Sequence, residues 1–259
     1  MLPIMSFGFF SVPSYGLMIT LGIIIGICIA VHYSRLYDIP VYDFLLGTFL
    51  SAAGLFFGAK LLYMITVLPN IFAYRDYFSE HIKDALIYMF GGYVFYGGLV
   101  GALLFYYLFC NYMEYSFLKF TNIIVPVIPL IHSFGRIGCF LGGCCYGIPY
   151  HGYFSVTFPE HSDLIDLHVT ARFPVQILEA CCNLILACVL LFIGRKPRKD
   201  GFFLGVYFIC YGILRFSLEF LRGDVERGIL LGISTSQWIS LVLIPIGVFI
   251  LKNKSFKNT

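Results

Sequence analysis

Seven times along the chain the sequence stays apolar for eighteen residues or more, over about 14–34, 43–68, 93–112, 122–146, 173–194, 201–221 and 233–251. A run of that length is what a helix needs to cross the roughly 30 Å hydrocarbon core of a bilayer. In lipid, every backbone N–H and C=O must find its partner inside the segment, so such runs have one workable conformation, the α-helix. Composition agrees: 59% of the 259 residues are hydrophobic and 12% charged, where a soluble domain carries about 25% charged residues. The expected fold is an all-α membrane protein with seven transmembrane helices, in one polytopic domain over 1–259. The fourth run carries Pro126, Pro129 and a glycine cluster, which predicts a bent or broken helix. The first lacks a basic leading segment and a small-residue cleavage site, so it reads as a retained span rather than a signal peptide.

Lysine and arginine placement sets the expected orientation. With the N-terminus outside, the inner side holds Arg35, Lys119, Arg195, Lys196, Arg198, Lys199, Lys252, Lys254 and Lys257. The outer side holds Arg75, Lys83, Arg172, Arg222 and Arg227, while Lys60, Arg136 and Arg215 fall within spans. Nine basic residues inside against five outside favour N-out, C-in. Two outer loops, about 69–92 and 147–172, are long enough to have structure; the first suits the membrane surface. The second, an excursion between the fourth and fifth spans, contains VTF and HVTA pieces that predict short strands. The net charge of +3 lies mainly in inner segments and reads as a topology signal, with nothing pointing to nucleic acid.

Charges and glycines inside apolar sequence locate the chemistry. His132 to Gly147, HSFGRIGCFLGGCCYG, holds a histidine, an arginine, three cysteines and five glycines. A charged side chain at mid-bilayer costs roughly 2.5 to 3.5 kcal/mol, so Arg136 implies an anion, and the most available anion in a membrane is a phospholipid phosphate. Helical spacing puts His132 and Arg136 on one face, and guanidinium grips phosphate bidentately. In YGILRFSLEFLRGD, Arg215, Glu219 and Arg222 stand at i, i+4 and i+7, one helical stripe, with a structural Arg215–Glu219 ion pair as the simpler use. GGYVFYGGLVG surrounds Tyr96 with Gly91, Gly92, Gly97, Gly98 and Gly101, suited either to close helix packing or to a lipid head group. FPVQILEACC places Gln176 and Glu179 at the outer end of a span, with Glu179 expected to pair with Lys60 or another cation.

Of nine cysteines, Cys28, Cys110, Cys181, Cys182, Cys188 and Cys210 lie within spans as small hydrophobes. Cys139, Cys144 and Cys145 flank the arginine, but the C-x4-C-C spacing lacks the second ligand pair of a zinc site. Neither a metal nor a cofactor is expected. His151, His161 and His168 read as solvated loop residues.

Taken together, these segments resemble the bacterial prolipoprotein diacylglyceryl transferases. GRIGCFLGGCCYG is similar to the family signature around its phosphate-binding arginine, in a cysteine-bearing variant, and YGILRFSLEFLRGD to its late Arg-Phe-x-x-Glu-x-x-Arg segment. SYGLMITLG, GAKLLYM, RFPVQILEA and LGISTSQWISL match further family segments, all in family order from near residue 14 to 243. The resemblance implies transfer of diacylglyceryl from phosphatidylglycerol to the lipobox cysteine of a prolipoprotein signal peptide, with glycerol phosphate released at the outer leaflet of the bacterial inner membrane. It implies catalytic roles for Tyr96, His132, Arg136, Arg215 and Glu219: both arginines on phosphate, Glu219 as orienter, and Tyr96 or His132 near the thiol. Substrate contacts would come from Tyr15, Gly97, Gly98, Cys139, Gly147, Gln176 and Arg222. Tyr96 stands where the family usually has histidine, Cys139 where it has asparagine, and Cys144 where it has glutamate. Two other readings share these residues: a membrane protein that binds or moves anionic lipid without transfer, and a thiol oxidoreductase using Cys139, Cys144 and Cys145.

Overall fold

The computed structural model describes residues 3–7, 10–158, 171–223 and 228–253. A short hairpin of β1 (Ile4–Phe7) and β2 (Phe10–Pro13) leads into helix α1 (Ser14–Leu36). Then come α2 (Val41–Ala73), α3 (Arg75–Glu80), α4 (Ile82–Phe90), α5 (Phe95–Tyr112), α6 (Phe117–Ile124) and α7 (Ile128–Gly142). The chain continues with α8 (Val175–Ile193), α9 (Phe202–Leu218), the two-residue strands β3 (Ile229–Leu230) and β4 (Ile233–Ser234), and α10 (Thr235–Lys252). Seven helical segments are long and apolar enough to span a membrane, the fourth being Phe117–Gly142. That span is interrupted, as expected, by one 3-10 turn at Val125–Val127, where Pro126 lacks an N–H to give. The expected loop over 69–92 is helical for most of its length, because α2 runs on to Ala73 and α3 and α4 follow directly. At 33 residues α2 is about 50 Å long, well beyond the hydrocarbon thickness. The HVTA piece up to Thr170, His161, His168, Arg227, Lys254 and Lys257 lie outside the described residues.

The chain divides into two compact units. The second, Asp38–Phe117, is built on α2 against α5. Their backbones touch through glycine: a Cβ on Gly101 would strike the Gly54 carbonyl, and one on Gly97 the Gly58 carbonyl. Small residues are what allow such approach between membrane helices. Of the two uses weighed for the GGYVFYGGLVG cluster, the contacts show close helix packing. Lys60 is also accounted for inside this unit: Nζ donates to the carbonyls of Phe90 (2.6 Å) and Gly92 (3.0 Å) and lies 3.9 Å from the Tyr93 ring centre. It is therefore not the partner of Glu179; carbonyls at the end of α4 and aromatic faces satisfy its charge.

The first unit, Met1–Tyr37 with Leu118–Thr259, carries the interrupted span at its centre. More than half of that span's most apolar window is buried (56%), against 17–33% for the others. α1 lies along α7, α8 packs on α7, and α9 pairs with α10. Polarity is inverted relative to a soluble protein. Phe192, Ile185 and Phe249 face outward at 64–67% exposure, while Gln176, Glu179 and Asn183 are buried at 0–2%. Below them Val125, Leu190, Phe203 and Tyr207 form an apolar cluster. Asn122 ties the basic RKPRKD turn to α6, donating to the carbonyls of Arg198 and Lys199 and accepting from the Phe203 N–H. Ser234 and Gln237 cap α10 reciprocally.

Candidate active site

The site is assembled from α7, α8 and α9 of the first unit around two buried carboxylates. Gln176, Glu179 and Asn183 fall at i, i+3 and i+7 on α8, so one face of an otherwise apolar helix is polar. Glu179 Oε1 lies 3.0 Å from Arg136 Nε and 3.6 Å from His132 Nε2. The second carboxylate, Glu219, lies 3.0 Å from Arg215 Nη2, which also donates to Ser236 Oγ at 2.9 Å. Arg215 Nη1 is buried and makes no hydrogen bond among the described residues. Tyr211 sits between the two pairs. Its ring is 5.5 Å from His132 and stacks on Tyr207, and its hydroxyl lies within electrostatic reach of Arg215, Glu179, Arg136 and Arg222.

The two arginines decide what this arrangement accepts. Arg136 is paired with Glu179 and Arg215 with Glu219. A buried ion pair offsets its own desolvation only when geometry and added hydrogen bonds are good, and a guanidinium nitrogen without a hydrogen bond at this depth favours an anion. The donor hydrogens of two arginines offer that anion a bidentate seat.

The glycine-rich segment after Arg136 is turned back over the site. α7 closes at Gly143 in the left-handed region (φ 75°), and the Cys144 N–H bonds to the Cys139 carbonyl at 3.0 Å. Cys145 adopts the same region (φ 56°) without being glycine, at a cost of about 1 kcal/mol. Gln176 Nε2 holds the turn by donating to the Cys144 carbonyl at 2.9 Å. Beyond it Gly147 bridges Arg222, and Pro149 and Val156 each bridge Arg172. These bridges are the described part of the excursion expected at 147–172.

The expected residues are distributed unevenly. His132, Arg136, Arg215, Glu219 and Gln176 come together as described. Tyr15 joins them at the start of α1, its Cα packed where a Cβ on Gly138 would come within 3.0 Å. Arg222 departs from the expected stripe: α9 ends at Leu218, a 3-10 turn covers Glu219–Leu221, and Arg222 is extended. The tighter turn breaks the 3.6-residue period on which the stripe relied. Tyr96, Gly97 and Gly98 belong to the second unit, where Tyr96 is half-exposed in the first turn of α5. Sequence reasoning missed Tyr211, Asn183 and Ser236, whose signal was a polar group at helical spacing from, or in the segment beside, an identified charge. It also placed Arg172 simply outside; the structure buries it, stacked 4.4 Å from the Tyr146 ring centre and donating to the Gly147 carbonyl.

The sequence profile of the family described as prolipoprotein diacylglyceryl transferase matches residues 3–252. The chain belongs to this family. Over 247 residues it is 36% identical to the phosphatidylglycerol–prolipoprotein diacylglyceryl transferase of Clostridium tetani, covering 94% of each chain. It is 33% identical over 250 residues to a protein of the same name, numbered 2, from Clostridium perfringens, covering 95% of this chain and 92% of the relative. A transferase of that name from Rickettsia bellii is 31% identical over 256 residues, covering 96% and 93%. The resemblance read from the motifs is thus borne out, as is the seven-span fold of a multi-pass membrane transferase.

Proposed function

We propose that this chain carries out the reaction for which its relatives are named, and that the arginine–glutamate cluster of the first unit is where it does so. Diacylglyceryl moves from phosphatidylglycerol to the thiol of a lipobox cysteine in a prolipoprotein signal peptide. The acceptor loses its S–H proton, since the thiolate is the nucleophile. Its sulfur attacks the diacylglyceryl carbon that carries the phosphate ester. A C–S bond forms, the C–O bond breaks, and its electron pair leaves on the phosphate oxygen of glycerol phosphate. Arg136 and Arg215 meet that developing charge, a stabilisation that grows toward the transition state. Glu179 and Glu219 orient the two guanidiniums. His132, with Nε2 turned toward Glu179, takes the thiol proton at its other ring nitrogen. Tyr15, Gln176, Gly147 and Arg222 line the head-group side.

The observation that carries this reading is the pairing of each partly buried arginine with its own buried glutamate while Arg215 Nη1 lacks a hydrogen-bond partner among the described residues. Structural ion pairs alone do not require the orphaned donor. The basic-residue asymmetry supports an N-out, C-in arrangement in the bacterial inner membrane, with the site toward the outer leaflet, where the acceptor thiol and water for the departing glycerol phosphate are both available.

The test uses purified protein in detergent, phosphatidylglycerol and a lipobox peptide, read by mass spectrometry. Diacylglyceryl-peptide and free glycerol phosphate are both expected, and both disappear in Arg136→Ala. Lipid binding with neither product would favour a lipid carrier, and transfer retained in Arg136→Ala would remove the mechanism.

A further inference from the structure

The transfer chemistry uses none of the three thiols behind Arg136, of which Cys139 alone is expected to touch substrate, yet the fold gathers them. The Sγ atoms of Cys139, Cys144 and Cys145 all lie within 4.8 Å of one another, the one such group found among the described residues. Cys139 is buried on α7, Cys145 is half-buried, and Cys144 is exposed, so the cluster has both a floor and an entrance. Its assembly depends on two left-handed residues, of which Cys145 is the costly one. The left-handed Gly143 reverses the chain, and the left-handed Cys145 turns the third sulfur back toward the first. Gln176, itself fully buried, fixes the turn through the Cys144 carbonyl. The adjacent thiols of Cys181 and Cys182, on regular helix, form no such group.

We propose that Cys139, Cys144 and Cys145 form a binding site for one soft, thiophilic cation of the zinc, cadmium or copper(I) class. With metal–sulfur bonds of about 2.3 Å, a tetrahedral ion holds its sulfurs about 3.8 Å apart, so the trio closes by no more than about 1 Å. A divalent ion displaces three thiol protons to solvent and leaves a tris-thiolate of net charge minus one. Arg136, one helical turn before Cys139, offsets that charge. The exposed side at Cys144 leaves the fourth position to water. Bound metal would clamp the end of α7 to the turn over the site. The assignment rests on the sulfur geometry and stands apart from the phosphate reading of the arginines.

The experiment titrates reduced, full-length protein in detergent with cadmium chloride under nitrogen and follows the ultraviolet thiolate-to-cadmium charge-transfer band. One equivalent per chain is expected, binding more tightly as pH rises because protons are displaced. Cys139→Ser and Cys145→Ser should each weaken binding at least tenfold, while the Cys181→Ser/Cys182→Ser double variant keeps it. In parallel, the unaltered protein is alkylated with and without cadmium and mapped by mass spectrometry, which needs no variant to fold. Protection confined to Cys139, Cys144 and Cys145 supports the site. Absence of the band, protection elsewhere, or a disulfide within the trio that persists under reduction would overturn it.

Discussion

At the scale of single residues, the site depends on which atom each carboxylate holds. Glu179 serves Arg136 and His132 from one oxygen, so its loss affects both. Replacing Glu179 by glutamine keeps the volume but leaves the Arg136 charge without its counter-ion, a change that costs about 3 kcal/mol for a buried pair. A lowered unfolding temperature in detergent, together with lost transfer, is expected. Unchanged thermal stability would mean that water or lipid balances Arg136 instead. Arg215 presents a different case, since a single nitrogen, Nη2, reaches both Glu219 and Ser236. A lysine there keeps the charge and loses the planar fork, and the transfer rate should fall about a hundredfold. Ser236→Ala removes one hydrogen bond to a charged group, about 1.5 kcal/mol, and should slow transfer about tenfold while phosphatidylglycerol still binds. Equal rates for these variants and the parent protein, measured as glycerol phosphate release, would show that Arg215 does not touch the phosphate.

At the scale of elements, α2 and α5 are joined through glycine backbones and α7 is ended by one. Gly101→Leu forces a side chain into the space of the Gly54 carbonyl. Overpacking of this kind costs about 3 kcal/mol, and the expected result is a large drop in thermal stability of the detergent-solubilised protein. Gly143→Ala meets no close atom (the nearest is Phe158 Cδ1 at 3.6 Å) but must hold φ at 75°. It should cost about 1 kcal/mol, and it should weaken cadmium capture by the cysteine trio as the turn relaxes. Hydropathy alone identified all seven spanning segments, because a bilayer admits few alternatives to a helix. It did not show that α2 extends to Ala73, or that α9 tightens to a 3-10 turn before Arg222. Both ends are set by local hydrogen bonding and packing rather than by apolar length. The C-x4-C-C spacing does not reveal the left-handed turn that brings the three sulfurs together.

For the whole molecule, orientation is the property with the most direct test. The basic RKPRKD turn and the basic C-terminal tail are proposed to face the cytoplasm. A fluorescent protein fused after Thr259 should then fold and fluoresce, and alkaline phosphatase at the same position should stay inactive. The opposite pair of results would invert the topology and put the site on the wrong leaflet for an exported acceptor. Length and polarity of the segments, the presence of charges within them, and the order of the family motifs are all properties of the one-dimensional chain. They determined the membrane class, the span number and the family, and they marked Arg136 and Arg215 as charges within spans. Partner choice was decided only in three dimensions. The same sequence allowed Glu179 to meet Lys60 or Arg136, and Gly97 to meet lipid or the Gly58 carbonyl. Helix α8 turned its polar face toward α7, and α2 closed on α5, because buried charge and exposed backbone are each costly in lipid until a neighbouring element supplies the missing contact.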